Sequence, residues 1–120
     1  MTYTKEQLEA MSDFEINKAL LLKVIEEDSL PVVWFSGVRF YSENERIFKS
    51  WLEVNDFGRY EEKEEIDYCE NWSDIMPLAV EHGIDYCKYE GGFVASNDRF
   101  GFYGESLQRA IACCLLVMEL

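Results

Sequence analysis

Basic residues are scarce in this chain, which has 11 lysines and arginines against 24 aspartates and glutamates and a formal net charge of −13 at pH 7. A surface this acidic is repelled by nucleic acid and by anionic membranes. We therefore expect no direct binding to either, and we expect the partner to be a protein with a basic surface. The oligomeric state stays open.

Long apolar runs and targeting signals are also missing. The longest apolar run, at residues 110–118, has nine residues, about half of what is needed to span a bilayer. The first residues do not show a basic region followed by an apolar stretch, as a secretory signal would. These absences predict a soluble, cytoplasmic protein.

Catalytic motifs are a third absence. The chain contains no nucleophile elbow, phosphate-binding loop, dinucleotide fingerprint or HExxH zinc motif. Its single histidine, His82, lies at the end of a predicted helix, where histidine more often interacts with the helix dipole than acts as a base. We predict no catalytic residue. The alternative is a small hydrolase or transferase that uses acidic residues and His82.

The four cysteines form no recognisable metal or disulfide pattern. They are Cys69, Cys87, Cys113 and Cys114, without CxxC spacing, and the first two flank His82 at a spacing that matches no zinc module. The acidic residues lack the ligand alternation and glycine of an EF-hand loop. We predict reduced, mostly buried thiols, no bound metal and no cofactor.

The composition that remains is that of a folded protein. Hydrophobic residues make up 48% and aromatic residues 15%, too much for an intrinsically disordered chain. A length of 120 residues predicts a single domain over 1–120 with a core of its own. The tetrapeptide Ile-Asp-Tyr-Cys occurs at 66–69 and again at 84–87, but it is too short to indicate duplication.

Capping signals and apolar periodicity predict three helices. Ser12 and Glu15 form a capping box before a broad apolar stripe. Ser73 is expected to cap a short middle helix that ends before Gly83. A final helix that begins after Ser106 is apolar nearly all round, so we expect it to form the core.

The strands are predicted from β-branched and aromatic residues. Residues 32–41 are expected to form one strand with a bend at Gly37. Residues 47–57 fit a strand and a helix, and the turn residues at 55–58 favour the strand. Two further strands are expected at 84–89 and 93–103. The predicted class is α+β, a small antiparallel sheet packed by N- and C-terminal helices, with a short middle helix.

The most prominent feature that is present is an acidic run. Between positions 61 and 90, ten carboxylates are opposed by only Lys63 and Lys88. One interpretation is a solvated edge that keeps the protein soluble. The other is mimicry of the nucleic-acid backbone by carboxylates on a rigid surface. If the run is a strand, charge on both of its faces fits an exposed sheet edge.

Tyrosines and a tryptophan accompany the acidic half of the chain. Such residues are enriched at the energetic centres of protein interfaces, and the basic neighbours that single-stranded nucleic acid would require are absent. We therefore predict a partner-binding surface composed of Glu61, Glu62, Glu64, Glu65, Asp67, Tyr68, Glu70, Trp72, Tyr86 and Tyr89.

Three stretches occur together in an order that resembles one protein family. They are residues 12–18, residues 67–78 running on to 82–84, and residues 109–110 at the opening of the apolar final helix. The chain resembles the small NinX-type proteins of lambdoid and related bacteriophages, a family without an established activity. Residues 27–66 carry no match, and Glu105–Ser106 stands where that family usually has Asn-Pro.

The resemblance implies a phage gene expressed in the cytoplasm of a bacterial host, and it implies no reaction, cofactor or catalytic residue. Small acidic phage proteins often disable host machinery, including restriction or CRISPR effectors whose grooves are basic. The leading hypothesis is a non-enzymatic phage accessory protein that binds a host or phage protein through its acidic half. Its sharper form is inhibition of a DNA- or RNA-binding host enzyme by charge mimicry.

Overall fold

The computed structural model describes residues 3–25, 32–35, 38–97 and 100–118. Its elements follow one another as α1 (Lys5–Ala10), α2 (Asp13–Val24), β1 (Val32–Phe35), β2 (Val38–Glu43), β3 (Arg46–Asn55), β4 (Gly58–Ile66), α3 (Trp72–Glu81), β5 (Asp85–Tyr89), β6 (Gly92–Ser96), β7 (Gly101–Gly104) and α4 (Leu107–Val117). None of the helices within these ranges is long and apolar enough to cross a membrane.

The strands form two antiparallel sheets, each ordered as the chain runs. The first sheet is β1-β2-β3-β4 and the second is β5-β6-β7. The α+β class with terminal helices is confirmed, and the strands divide between two sheets where one was expected. The second sheet corresponds to the strands predicted at 84–89 and 93–103, the latter divided into β6 and β7. The molecule measures 53 × 25 × 25 Å along its principal axes.

Helix α4 lies at the centre of the core, as its nearly continuous apolar sequence predicted. Eight of its 11 residues are buried, and it contacts β6, β7, α2 and α3. A glycine in β7 lets the helix approach closely, because a Cβ built on Gly104 would lie 3.2 Å from the Cβ of Ala110. Cores pack at near-crystalline density, so even one methyl group matters there.

Capping boxes begin both N-terminal helices. At the start of α2, Glu15 N–H donates to Ser12 Oγ at 3.2 Å and Ser12 N–H donates to Glu15 Oε1 at 3.2 Å, which confirms the predicted start. An equivalent box of Thr4 and Gln7 begins α1, a helix that the sequence analysis missed. With only six residues and one buried side chain, Leu8, α1 has almost no apolar periodicity to detect.

Residues 32–35 and 38–41 form two paired strands and not the single bent strand predicted for the stretch 32–41. β1 pairs antiparallel with β2, and Phe35 lies opposite Val38. Gly37, where the bend was expected, lies outside the described residues. The same β-branched and aromatic residues favour one bent strand and two paired strands equally, so composition did not separate them.

The ambiguous stretch 47–57 is a strand followed by a hairpin turn, as the turn residues at its end indicated. β3 pairs with β4 along its length. At one end Ile47 and Ile66 lie opposite each other and are buried, whereas Leu52 and Val54 are 65% and 68% exposed. The hairpin is therefore anchored in the core at one end and projects into solvent at the other.

Helix α3 begins two residues earlier than predicted. The side chain of Asn71, and not that of Ser73, caps the helix, by accepting the Ser73 N–H at 3.1 Å. Pro77 is therefore the sixth helical residue. It lies beyond the first turn of the helix, and the first turn is where proline fits best. Gly83 ends the helix with φ of 66°, a left-handed conformation that confirms its predicted role as the stop signal.

Candidate functional site

The acidic run continues through α3 into β5, but its first six residues, 61–66, lie in β4, an edge strand of the first sheet. The side chains of β4 are exposed except for half-buried Glu62 and buried Ile66. Because side chains alternate between the two faces of a sheet, Glu61 and Glu65 share one face while Glu62 and Glu64 share the other. This is the exposed edge with charge on both faces that the sequence suggested for a strand, and such charges oppose edge-to-edge association.

Most of these glutamates are paired with cations from the neighbouring strands. The ion pairs are Glu61 with Arg39 at 2.8 Å, Glu64 with Lys49 at 3.6 Å and Glu65 with Arg46 at 3.7 Å. Within the described part of the chain, Glu62 is the one glutamate of the four without an ion pair. Counting charges along the sequence missed these partners because β2 and β3 supply them. The β4 edge is therefore partly neutralised, unlike a row of phosphates.

Lys63, the lysine of β4, lies against aromatic rings. Its Nζ lies 4.3 Å from the ring centroid of Phe48 and 5.9 Å from that of Tyr41. The two rings stack with centroids 5.5 Å apart, and the guanidinium of Arg39 lies 4.7 Å from the Tyr41 centroid. These cation–π contacts hold positive charge on one face of the first sheet.

Carboxylates that are distant in sequence meet in a groove of about 300 Å³. It is called here the acidic groove, and it is lined by Asp13, Phe14, Asn17, Glu45, Arg46, Ile47, Glu65, Ile66, Asp67 and Glu70. The N-terminus of α2, the turn between β2 and β3, and the end of β4 come together there. Glu65, Asp67 and Glu70 were predicted as binding residues. Asp13 and Glu45 were missed, because no local signal connects them to the acidic run.

Asp67 has a structural role in this groove. Its Oδ1 accepts hydrogen bonds from Asn17 Nδ2 at 2.9 Å and from the Cys69 N–H at 3.1 Å. Its own N–H donates to Asp74 Oδ2 at 3.0 Å. These hydrogen bonds join α2 to the segment that connects β4 with α3, so the Asp67 side chain stabilises the fold.

The other carboxylates of the acidic groove divide into paired and free groups. Two are ion-paired, Asp13 with Arg109 and Glu65 with Arg46. The carboxylates of Glu45 and Glu70 are exposed and make no ion pair or hydrogen bond to any residue that the structure describes. Glu45 and Glu70 are therefore the two charges of the groove that a basic side chain of a partner can take up without breaking an existing pair.

Tyr68 does not belong to the predicted binding surface, because it is buried in the core with 6% of its surface exposed. It lines a second groove of about 270 Å³, whose other residues include Leu21 and Phe40. Burial raises the pKa of the Tyr68 phenol above its ordinary value of 10.0, and the Asp74 carboxylate raises it further. The hydroxyl stays neutral, and the side chain supports the fold.

The remaining predicted aromatic residues are exposed but lie on other elements. Trp72 begins α3 and is 42% exposed, while Tyr86 and Tyr89 lie in β5 and are 52% and 55% exposed. Tyr89 meets Tyr103 edge to face at 6.4 Å. The acidic groove is lined by none of these aromatic residues, which are Trp72, Tyr86, Tyr89 and Tyr103. The ten predicted residues therefore do not form one continuous site.

The groups considered for catalysis and metal binding are dispersed. His82 is the C-cap of α3 and does not line the acidic groove. Cys69, Cys113 and Cys114 are buried free thiols and Cys87 is exposed, which confirms mostly buried, unpaired cysteines. The described residues contain no cluster of three or more His, Cys, Asp or Glu side chains placed to hold a metal ion.

Comparison with known proteins adds no relative from which a role can be taken. No family model, curated protein or solved structure matches this chain. The similarity to NinX-type proteins stays a prediction from the sequence. The charges and surfaces described above are the basis for the functional proposal.

Proposed function

We propose that this protein is a non-enzymatic, acidic binding module that engages a basic surface of another protein. The observation that carries the proposal is the acidic groove, in which Glu45 and Glu70 stand free beside the ion-paired Asp13 and Glu65. A groove of about 300 Å³ admits a long basic side chain. Lysine or arginine placed there would make charge-assisted hydrogen bonds, which are stronger than neutral ones.

The net charge supports the same kind of partner. At −13, the protein attracts a basic surface over distances up to the screening length of the solution. Electrostatic attraction of this kind acts mainly on the association rate and makes binding dependent on salt. A partner held mainly by apolar contacts would show neither property.

The NinX-type resemblance supports a phage accessory protein whose partner is a host or phage protein in the bacterial cytoplasm. Mimicry of nucleic acid is the narrower form of the proposal. Because β4 is partly neutralised by Arg39, Arg46 and Lys49, a mimic would draw on the free carboxylates of the acidic groove more than on the edge strand. It would occupy the nucleic-acid groove of its target.

The first experiment is capture of partners by the tagged protein from nuclease-treated bacterial lysate, with washes at rising salt and identification by mass spectrometry. We expect a basic protein that salt releases. Displacement of that protein by duplex DNA or RNA is the further result expected of a mimic. A retained partner that is insensitive to salt would contradict the electrostatic mechanism.

Variants of matched charge separate the acidic groove from the net charge. Glu45→Gln with Glu70→Gln removes the two free carboxylates of the groove, whereas Glu81→Gln with Glu105→Gln removes two exposed carboxylates elsewhere. We expect the first pair of substitutions to weaken binding of the captured partner several-fold and to reduce its salt dependence. The reason is that an ion pair between the partner and a carboxylate in the groove contributes more to binding than one with a fully solvated carboxylate. Equal weakening by both pairs would leave net charge as the cause and reject the groove.

A hydrolase or transferase function is not proposed, since His82 does not line the acidic groove. His82→Ala should leave partner binding and any associated phenotype unchanged. Loss of the phenotype in a folded His82→Ala protein would favour the enzymatic alternative.

A further inference from the structure

We propose that β5 is a self-association edge, through which two copies of this protein pair antiparallel and join their second sheets into one six-stranded sheet. β5 is an outer strand of the three-stranded sheet, and all five of its residues, Asp85–Tyr89, are exposed. The inference does not rest on the proposed function, since the acidic groove contains no residue of β5.

Two of the outer strands, β4 and β5, differ in how they are protected. Proteins protect outer strands with runs of charge, prolines, bulges or covering elements. β4 carries four glutamates, whereas β5 has the sequence Asp-Tyr-Cys-Lys-Tyr, with one charge of each sign. The pairing of β5 with β6 is regular over all five residues, from Asp85 opposite Ser96 to Tyr89 opposite Gly92. β5 therefore has no run of like charge, proline or bulge to oppose pairing.

The backbone of β5 presents hydrogen-bonding groups at the open edge. In a hairpin closed by two residues, the pair that flanks the loop is hydrogen-bonded, and bonded and non-bonded pairs then alternate. Tyr89 and Gly92 flank the loop between β5 and β6, so Cys87 and Asp85 also bond inward to β6. Tyr86 and Lys88 consequently direct their N–H and C=O groups outward, away from β6.

One register satisfies all of these outward groups. When a two-fold axis passes beside Cys87, Tyr86 of one copy lies opposite Lys88 of the second copy, and both residues exchange backbone hydrogen bonds. The same axis places Asp85 opposite Tyr89 of the second copy. A shift of the register by one residue would place outward N–H and C=O groups of one copy opposite inward groups of the second copy. A shift by two residues would leave some of the outward groups without a partner.

The side chains of that register are complementary. Tyr86 opposite Lys88 of the second copy is a favourable pair of a cation and an aromatic ring. Asp85 opposite Tyr89 of the second copy pairs a carboxylate acceptor with a phenol donor. No like charges lie directly opposite each other, which would otherwise destabilise the pairing. This self-complementarity is the reason to name a second copy of the chain as the occupant of the edge.

Cys87 makes the register measurable. On the axis it would face Cys87 of the second copy in a non-bonded pair, with Cα atoms about 4.5 Å apart, a separation that a disulfide can span. The other three thiols are buried, and burial raises the pKa of Cys113 to about 12 and that of Cys114 to about 11. Diamide, which accepts two electrons and two protons from a thiol pair, should therefore join the chains through Cys87 alone.

The test measures molar mass by sedimentation or light scattering over a wide range of protein concentration, in about 0.2 M salt to screen the repulsion between two acidic copies. We expect a dimer that grows with concentration and gives a diamide cross-link between the two Cys87 residues. Tyr86→Pro removes one outward N–H from each copy without removing a bond to β6. It should weaken the dimer by about tenfold or more, because two interface bonds are lost.

Two further variants keep the proposal falsifiable if the proline disturbs β5. Tyr86→Lys places a lysine opposite Lys88 of the second copy, and it should weaken the dimer several-fold although it lowers the net repulsion between copies. Arg59→Pro, at an outward position of the protected edge strand β4, is the matched control and should leave dimerisation unchanged. A monomer at every concentration, a dimer that both Tyr86 variants leave intact, or a dimer without the Cys87 cross-link would overturn the proposal.

Discussion

The side-chain amide of Asn17 joins α2 to Asp67, a residue 50 positions further along the chain. Its Nδ2 donates to Asp67 Oδ1 at 2.9 Å and its Oδ1 accepts the Cys69 N–H at 3.1 Å. Asn17 is only 6% exposed. A buried amide with both of its ends satisfied is a strong constraint on packing, because replacing it removes a hydrogen bond from each of its two partners in the segment after β4.

Asn17→Asp tests this constraint with an almost unchanged shape. At pH 7 the introduced carboxylate would face the Asp67 carboxylate, so the free energy of unfolding should fall by about 2 kcal/mol or more. At about pH 4 carboxyl groups begin to protonate, the repulsion is relieved and part of the deficit relative to the native protein should disappear. Urea unfolding at both pH values measures this. Asn17→Ala is the control, and its deficit should not depend on pH.

Arg109→Lys should destabilise the junction of α4 with the N-terminal helices. The guanidinium of Arg109 donates to the Met11 carbonyl at 2.6 Å and to the Leu8 carbonyl at 3.3 Å, and it pairs with the Asp13 carboxylate. Lysine cannot reproduce this planar fork of donors. We expect a loss of about 1–3 kcal/mol in urea unfolding. Arg59→Lys on the exposed hairpin is the control, and a loss of similar size there would contradict the specific role of Arg109.

Alkaline pH should destabilise the protein through its buried thiols. Burial raises the pKa of Cys113 to about 12 and that of Cys114 to about 11, from an ordinary value of 9.0. The unfolded chain therefore releases these protons at lower pH than the folded protein does. The contribution of the two thiols to the free energy of unfolding is complete below about pH 9. It is lost as the pH rises from there toward the pKa values of the folded protein, by about 1.4 kcal/mol per pH unit for each thiol.

Cys114→Ala isolates this effect. We measure the free energy of unfolding in reducing buffer between about pH 9 and 10.5. It should fall less steeply with pH in the variant than in the native protein, and the two slopes should differ by about 1.4 kcal/mol per pH unit. Cys87→Ser changes an exposed thiol and should leave the slope as it is. Identical slopes in all three proteins would show that the buried thiols do not govern the alkaline transition.

Gly92→Ala should disturb the second sheet, whereas Gly101→Ala should not. A Cβ at Gly92 would lie 2.6 Å from the Tyr103 hydroxyl and 2.7 Å from the Gly104 carbonyl oxygen, which is backbone and cannot move aside. A Cβ at Gly101 meets nothing closer than 3.8 Å. We expect a loss of about 1–3 kcal/mol for Gly92→Ala, measured by thermal or urea unfolding. For Gly101→Ala we expect little change or a slight gain.

Local signals in the sequence predicted several elements well. The capping box at Ser12, the stop at Gly83 and the nearly all-apolar final helix after Ser106 were all recognised, because each depends on residues within a few positions of one another. The errors arose where two local solutions compete. Asn71 and Ser73 are both good N-caps, and in the structure it is Asn71 whose side chain accepts the Ser73 N–H.

The candidate site was less predictable than the fold. An exposed edge was expected for the acidic run only if it formed a strand, as residues 61–66 do, and the ion pairs with Arg39, Lys49 and Arg46 depend on the pairing of β2, β3 and β4. The acidic groove adds Glu45 and Asp13 to residues near the end of β4. A charge count along the chain cannot show either result, because Coulomb interactions depend on distance in space.

The two copies of Ile-Asp-Tyr-Cys show most directly what each level decides. By itself, the sequence determined the net charge, the capping box at Ser12, the helix stop at Gly83 and the apolar helix of the core, since these follow from composition and short-range geometry. Only the tertiary structure decided that Tyr68 and Cys69 are buried in the core while Tyr86 and Cys87 are exposed on an outer strand. Burial depends on which distant elements pack against a residue, and identical tetrapeptides carry no information about that.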